Sequence, residues 1–406
     1  MAATRRSSRS RGKLPWVAAG LGALAARDAH AQSNLDFRYL YYKESGGRTQ
    51  VLNPWIYLNN DFGLKGGALT LLLGYDTISG ASPTGAYPTT DGTTTASGAA
   101  SSSIPLAEYN DTRKSATLSY ARKFGAHLPS VDLSYSREND YLARSAGMSD
   151  AWTLAQGRGT LHLGVSFSRD VVTPVTTGVS QDKSSNALAL GWSYILGERD
   201  LLDVSGSITK LSGYLDDPYK IVPVGATTVP EHRPDARSRQ AILVKYAHHL
   251  GDTRAAFKTS YRYYWDDWEI RAHTLGLVYE QRAGEKWIVS PELRLYTQGS
   301  ASFFAYEFAA PQTYMSSDYR LSALDSWLVG LTLSYQISRG LVLTVGATYQ
   351  DQQGRDRVAP LVTPPAAALS SALFEDDDGG EGGGPGLVSA ADLTIVTGTL
   401  GLSWRY

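Results

Sequence analysis

Beyond residue 32 the sequence alternates apolar and polar side chains with a period of two, and no other feature constrains the fold as strongly. In TRAAFKTSYRYYWD (253–266), Ala255, Phe257, Thr259, Tyr261, Tyr263 and Trp265 share one face. Arg254, Lys258, Ser260, Arg262, Tyr264 and Asp266 share the other. Successive side chains of an extended chain point to opposite sides, so this segment reads as a strand with one apolar and one polar surface. Residues 286–298 repeat the pattern, with Trp287, Val289, Leu293 and Leu295 set against Lys286, Ser290, Glu292, Arg294, Tyr296 and Gln298. Segments 159–170, 186–196 and 326–337 carry it with fewer charges. In 268–282 the phase is less clean: Glu269, Arg271 and His273 fall on the face of Leu275, Leu277 and Tyr279, as a bulge or a different register would produce.

The alternation predicts strands at 35–44, 50–58, 67–78, 112–123, 129–142, 147–156, 159–170, 185–196, 200–213, 237–250, 253–265, 268–283, 286–300, 319–337, 341–352 and 391–406. That is about sixteen, within a range of 14–18, and an even count is what bacterial membrane barrels require. Short connections (124–129, 157–159, 197–199, 251–252, 284–285 and 338–340) alternate with long ones (79–111, 171–184, 214–236, 301–318 and 353–390). A soluble sandwich has no reason to sort its connections this way. A transmembrane barrel does, with short periplasmic turns and long extracellular loops. The fold class that follows is all-β, an antiparallel transmembrane barrel. Hydrocarbon offers the backbone no hydrogen-bond partners, so strands cross it only as a closed ring.

Composition agrees with this reading. No internal run reaches the roughly 18 apolar residues of a membrane helix. The 38 Lys+Arg nearly cancel the 39 Asp+Glu, unlike the basic excess of a nucleic-acid binder. The absence of cysteine excludes thiolate metal sites, thiol catalysis and disulfide frameworks. Residues 1–31 read as a secretory signal: Arg5, Arg6, Arg9, Arg11 and Lys13, then the apolar LPWVAAGLGALAA (14–26), then Ala29-His30-Ala31 before Gln32. The barrel domain is therefore expected over 32–406, exported to the bacterial outer membrane. At the other end Leu400, Leu402, Trp404 and Tyr406 alternate to an aromatic C-terminus, which resembles the terminal signal read by the barrel-assembly machinery.

The search for chemistry returns no G-x-S-x-G elbow, H-E-x-x-H or P-loop, and no His has a Ser two residues later, so the chain reads as a non-enzyme without cofactor. The acidic glycine tract with Asp376, Asp377, Asp378 and Glu381 does not have calcium-loop spacing, and no metal is expected. Charges on the polar faces are better candidates. Arg254, Lys258 and Arg262 form an expected basic ladder in the lumen, with Glu292 and Arg294 two strands away. Asp132, Glu138 and Asp140 form an expected acidic ladder on 129–142. Opposed walls of this kind orient polar solutes, whereas the plainer role of such charges is to pair and fill space. Asp266 and Asp267 mark a tight external corner able to pair with Arg233 or Arg237, close to Glu231 in the preceding loop.

Six ordered segments together resemble one family, the outer-membrane proteins of domain of unknown function 3570. They are RYLYY (38–42), GASPTG (80–85), DPYK (217–220), PEHRPDARSR (230–239), YRYYWDDWEI (261–270) and PELRLYTQ (291–298). The chain departs from the family after Gln298, where SASFFAYEF replaces a longer aromatic run. The resemblance implies an outer-membrane barrel of unestablished activity, with genes near periplasmic thioredoxin-like and flavin-transfer proteins. The expectation is thus a porin-like channel for small polar solutes. The alternatives are a sheath for a periplasmic redox partner and a plugged structural or adhesive barrel.

Overall fold

A computed structural model describes residues 33–62, 66–83, 106–174, 177–225, 227–356 and 389–406. The expected signal (1–31), the polar tract 89–104 and the acidic tract around Asp376–Asp378 and Glu381 lie outside these residues. The first nine strands are β1 Asn34–Glu44, β2 Gln50–Asp61, β3 Ala68–Pro83, β4 Leu106–Ala121, β5 His127–Arg137, β6 Tyr141–Leu154, β7 Gly159–Val172, β8 Gln181–Ile195 and β9 Asp200–Gly213. A two-stranded hairpin follows, β10 Ile221–Val224 and β11 Thr227–Pro230. The rest are β12 Ala236–Leu250, β13 Ala255–Asp266, β14 Arg271–Ala283, β15 Trp287–Gln298, β16 Leu324–Gln336, β17 Leu341–Gly354 and β18 Leu393–Arg405.

All strands but β10 and β11 join one closed antiparallel ring, sixteen in number. The ring closes where β1 pairs with β18, from Asn34 opposite Arg405 to Glu44 opposite Ile395. Every strand thereby has two neighbours, and no edge is left to face hydrocarbon. The first and last described residues, Ser33 and Tyr406, lie together at the end with short turns, here called the turn end. Gly284 shows why such turns stay short: its φ of 65° is a left-handed conformation that favours glycine. At the opposite, loop end the long connections gather, although β1–β2, β5–β6 and β13–β14 are joined there by only a few residues.

The apolar alternate face points outward and is exposed: Met148 to 60 %, Leu133 to 57 % and Phe167 to 52 %. A surface this apolar is unusual in water and suits lipid. Leu400, Leu402 and Trp404 belong to it, while Tyr406 lies just past β18, ring-to-ring 5.0 Å from Trp404. Two of the buried apolar clusters sit among the loops, while a third joins Tyr319 and Ala390 to Leu324, Leu393 and Ile395 at the loop end of the ring wall. Of the first two, one joins Trp268, Ile270, Ala301, Phe303 and Leu321; the other joins Val222, Val224, Phe308 and Met315.

Three expectations are corrected. β5 ends at Arg137, so Glu138 and Asp140 sit in the tight β5–β6 connection and only Asp132 of the acidic ladder lines the wall. Asn139 and Asp140 form that turn, yet their alternation imitates a continuing strand. Arg254 is not on β13: it closes the turn before it, at a φ of 54°. The bulge suspected in 268–282 is absent, for β13 and β14 pair without interruption from Ala255 opposite Gln281 to Trp265 opposite Arg271. His273 does face outward, and its imidazole is held by the Tyr261 hydroxyl at 2.7 Å near the loop end, a place where polar and aromatic groups meet.

Candidate functional site

The inward face has two unlike walls. On β12–β15 it carries Arg237, Arg239, Lys245, Lys258, Arg262, Arg282 and Arg294 against Asp266, Glu280 and Glu292. Lys258 Nζ lies 2.5 Å from Glu280, with side chains 47 % and 37 % exposed, so this pair is wet. Arg294 is also exposed and reaches Gln350 at 3.3 Å. On β4–β8 the inward residues are mostly small or hydroxylated: Ser115, Thr117 and Ser119, then Ser130, Ser134 and Ser136, then Ser145, Gly147 and Ser149. These pair across strands, as Ser130 does with Ser149 at 2.7 Å. Asp132 is the charge on this stretch of β5, and β5 stands eight ring positions from β15, directly across the lumen.

Both isolated lumen carboxylates lie against a glycine of the facing strand. Asp132 is opposite Gly147, and Glu292 is opposite Gly330. A Cβ at Gly330 would stand 2.5 Å from Glu292 Oε1, and one at Gly147 would run into the Asp132 carboxylate. The missing side chains let the carboxylates fold flat on the wall.

A Ser–His–Asp grouping also occurs on the wall, one that sequence spacing did not flag. Ser193 lies 3.3 Å from His162 Nε2 and donates its hydroxyl to Asp203. An activated serine needs a histidine base that a third group orients. Here the carboxylate takes the serine proton directly, so the order of the relay is wrong for a nucleophile.

The mouth at the loop end is built differently. Arg233 binds Glu231 at 2.7 Å and Asp318 at 2.9 Å. Arg320 binds Asp217 at 2.7 Å and grips Asp318 through Nε at 2.7 and 2.9 Å. Lys220 is buried beside them, its ammonium 6.0 Å from the Tyr319 ring centre. Three carboxylates thus meet three cations. Burial raises the Asp318 pKa, but Arg320, Lys220 and Arg233 outweigh it and hold the carboxyl well below its ordinary value of 3.8. Burial pushes the Lys220 amine down to about 8, against the pull of Asp318. Burial likewise raises Glu231, more than Arg233 lowers it. Glu231 is held by the Asp217 amide at 2.6 Å and the Ser316 hydroxyl at 2.5 Å.

This hub ties together connections from four quarters of the ring. The β1–β2, β5–β6, β9–β12 and β15–β16 connections lie four strands apart in the barrel order. Tyr219 donates to Asp140 at 2.5 Å, joining the β9–β12 loop to β5–β6. Asp217, Glu231 and Arg233 join it to Asp318 and Arg320 in the β15–β16 loop. Arg48 of the β1–β2 connection stands 5.6 Å over the Tyr319 ring and donates to the Ala390 carbonyl at 2.6 Å. The β10–β11 hairpin seals the contact, with Val222 fully buried against Phe308 and Met315. The loops therefore form a cap over the mouth.

The corner residues anchor the cap. Asp266 accepts from Arg237 Nε at 2.9 Å, from the Tyr264 hydroxyl at 2.6 Å and from the Trp268 and Ile270 amides. Arg237 also stacks 4.0 Å over the Trp268 ring. Asp267 receives the Ser238 amide at 2.9 Å rather than an arginine, and Arg233 serves the hub. Asp111, Glu138 and Asp140 each bring one carboxylate oxygen within 4.8 Å of the others. Asn139 donates to Asp111 at 2.7 Å, and Tyr219 to Asp140, so this group works as a hydrogen-bonded anchor of the β5–β6 turn.

The ring resembles solved outer-membrane proteins. A "Bacterial polysaccharide outer membrane secretin" superposes with a TM-score of 0.51 at 8 % identity, over 93 % of this chain and 100 % of that one. CdiB from Acinetobacter baumannii gives 0.47 at 11 % identity over 92 % and 60 %. The siderophore receptor PirA from Pseudomonas aeruginosa gives 0.43 at 12 % identity over 82 % and 58 %. The chain thus spans about three fifths of the length of the latter two. At these identities the likeness concerns the fold, an outer-membrane-type barrel. No curated protein matches by sequence. Residues 16–361 match the family described as "Protein of unknown function (DUF3570)", and the chain belongs to that family.

Proposed function

We propose that the barrel sits in the outer membrane as a passive conduit for small polar solutes, with its loops as a restricting cap. The observation that carries this reading is the water-exposed charge of the inner wall, a cationic face on β12–β15 set across from the hydroxyl-lined β4–β8. A barrel that only filled space would pair and bury these groups. A conduit leaves them wet, where they attract solutes of opposite sign and repel apolar ones. The cationic excess leads to a preference for anions.

Conductance of the folded chain in planar bilayers tests this directly. The expected result is discrete channels whose reversal potential in a salt gradient shows anion preference. Folded, inserted protein that never conducts would sink the reading. That outcome would favour a second one, a closed structural barrel, which draws support from the largely buried ion-pair hub across the mouth. On either reading the barrel is not an enzyme, as suits a serine whose hydroxyl is committed to a carboxylate.

A further inference from the structure

The outer surface carries a one-sided belt of charge that neither reading uses. Lys114, Arg137, Arg144, Arg169 and Lys210 are exposed, and each shares the outward face of its strand with lipid-facing residues such as Leu118, Leu133, Met148, Phe167 and Ile208. They lie near the loop end on β4, β5, β6, β7 and β9. Lys114 stands directly opposite Arg137, and Arg144 directly opposite Arg169. Tyr135 is opposite Arg144, which sets Arg137 and Arg144 on a diagonal. Asn186 links Arg169, at 3.2 Å, to Lys210 across the next pair. Among the described residues none of the five belongs to an ion pair.

We propose that this belt binds the phosphate headgroup of an anionic lipid in the leaflet at the loop end of the barrel. Like charges placed directly across a strand pair repel, since such side chains start about 5 Å apart. Two such pairs on one exposed belt leave an unpaid repulsion that a multivalent anion removes. Guanidinium groups suit phosphate, because their planar fork donates two hydrogen bonds to it. The occupant must also be a lipid. Immediately toward the turn end lies the exposed apolar band, so a phosphate on the belt places its acyl chains against Met148, Leu163 and Phe167. The far side of the barrel has the opposite character. There Asp325 and Asp351 face outward beside Tyr261, Leu295 and Trp327 in a groove of about 400 Å³. Elsewhere on the outer face Arg271 and Lys43 stand singly rather than in facing like-charged pairs, so an anionic headgroup is drawn chiefly to the belt. The inference holds whether or not the lumen conducts.

Native mass spectrometry of the full chain, folded in neutral detergent and titrated with bisphosphorylated lipid A, tests the proposal. Retention should fall in order from bisphosphorylated to monophosphorylated to phosphate-free lipid. It should also weaken at about 1 M salt, where charges are screened within about 3 Å. In the triple variant R137S/R144S/R169S, folded by heat-modifiable migration, lipid affinity should drop about tenfold or more, as expected for losing several charge-assisted contacts. The triple lysine variant should keep part of it, and D325N/D351N should leave it unchanged. Equal retention of the three lipids by the native chain would overturn the proposal even if the triple variant failed to fold. Unaltered affinity in a folded triple variant would overturn it too, as would full competition by inorganic phosphate.

Discussion

The mouth and the mid-lumen use the same residue types in opposite ways. At the mouth, Asp318 and Arg233 are out of water, Arg320 is half-buried beside them, and each answers another. In the lumen, Lys258 and Glu280 touch but stay wet, and Arg294 reaches into the open. A buried ion pair returns little net stability, yet removing one partner strands a charge that water cannot reach, at a cost of about 3–5 kcal/mol. A wet pair is worth about 0–1 kcal/mol and is replaceable. The mouth is therefore specified by its charges, whereas the lumen is only tuned by them. Asp318→Asn is the most severe way to test that contrast. Because the chain has no cysteine, a buried Ser317→Cys can report cap opening, with exposed Thr313→Cys as reference. Asp318→Asn should raise the labelling rate at 317 roughly a hundredfold, the equivalent of about 3 kcal/mol. The rate at 313 should stay unchanged. Unaltered labelling at 317 would show that the hub does not hold the cap.

Protonation loosens or tightens the same hub without a mutation. Asp318 has a depressed pKa when capped, so its stabilisation is present above the ordinary 3.8 and is lost as pH falls through and below it. Glu231 is raised, so its contribution is full below the ordinary 4.5 and fades as pH climbs, opposing Asp318 on the acid side. Lys220 offers a cleaner window. Its pKa falls from 10.5 to about 8, so between those values the capped state binds fewer protons than the open one. The cap should tighten as pH rises through that window. Labelling at 317, normalised to 313 to remove thiol ionisation, should slow from pH 8 to pH 10. Lys220→Met should abolish that slope. A slope that survives the substitution would assign it to another group.

The lumen side of the contrast predicts smaller effects on the fold and visible ones on selectivity. Lys258→Ser with Arg294→Ser should move the reversal potential toward cations. Barrel stability should stay within about 0.5 kcal/mol, as is usual for exposed positions. If these variants unfold the barrel, the lumen charges are structural, and the distinction between mouth and wall fails.

The sequence made the ring legible and the cap nearly invisible, for a physical reason. A strand that divides lipid from lumen writes its period of two into every pair of residues, so all sixteen strands could be placed from local pattern. A hub pair leaves no period: Arg233 and Asp318 are 85 residues apart, and Asp217 and Arg320 are 103 apart. Glu231, Arg233 and Arg237 are marked in the sequence only by the acidic Asp266-Asp267 corner they could serve and by the family resemblance of PEHRPDARSR. Their partners Asp318 and Arg320 carry no signal beyond an aspartate two residues before an arginine. Glu138 and Asp140 misled for the converse reason, since a tight turn can keep the parity of the strand it ends.

The mildest test concerns the two glycines that face lumen carboxylates. A methyl at Gly330 would meet Glu292 Oε1 at 2.5 Å, and a methyl at Gly147 would meet Asp132. In each case the obstacle is a flexible side chain, not backbone, with Glu292 having to move from its Cγ onward, so the carboxylate can swing away. It can swing only toward the lumen, because the sheet lies behind it. Gly147→Ala and Gly330→Ala should therefore fold normally. Each should lower single-channel conductance modestly and shift selectivity slightly toward cations, as a carboxylate leaves the wall for the solute path. Gly330→Ala should have the larger effect, since Glu292 carries the longer side chain and stands beside Arg294. Conductance unchanged in both would mean that solutes do not pass this level of the barrel, and the wet wall would then be solvated without being a path.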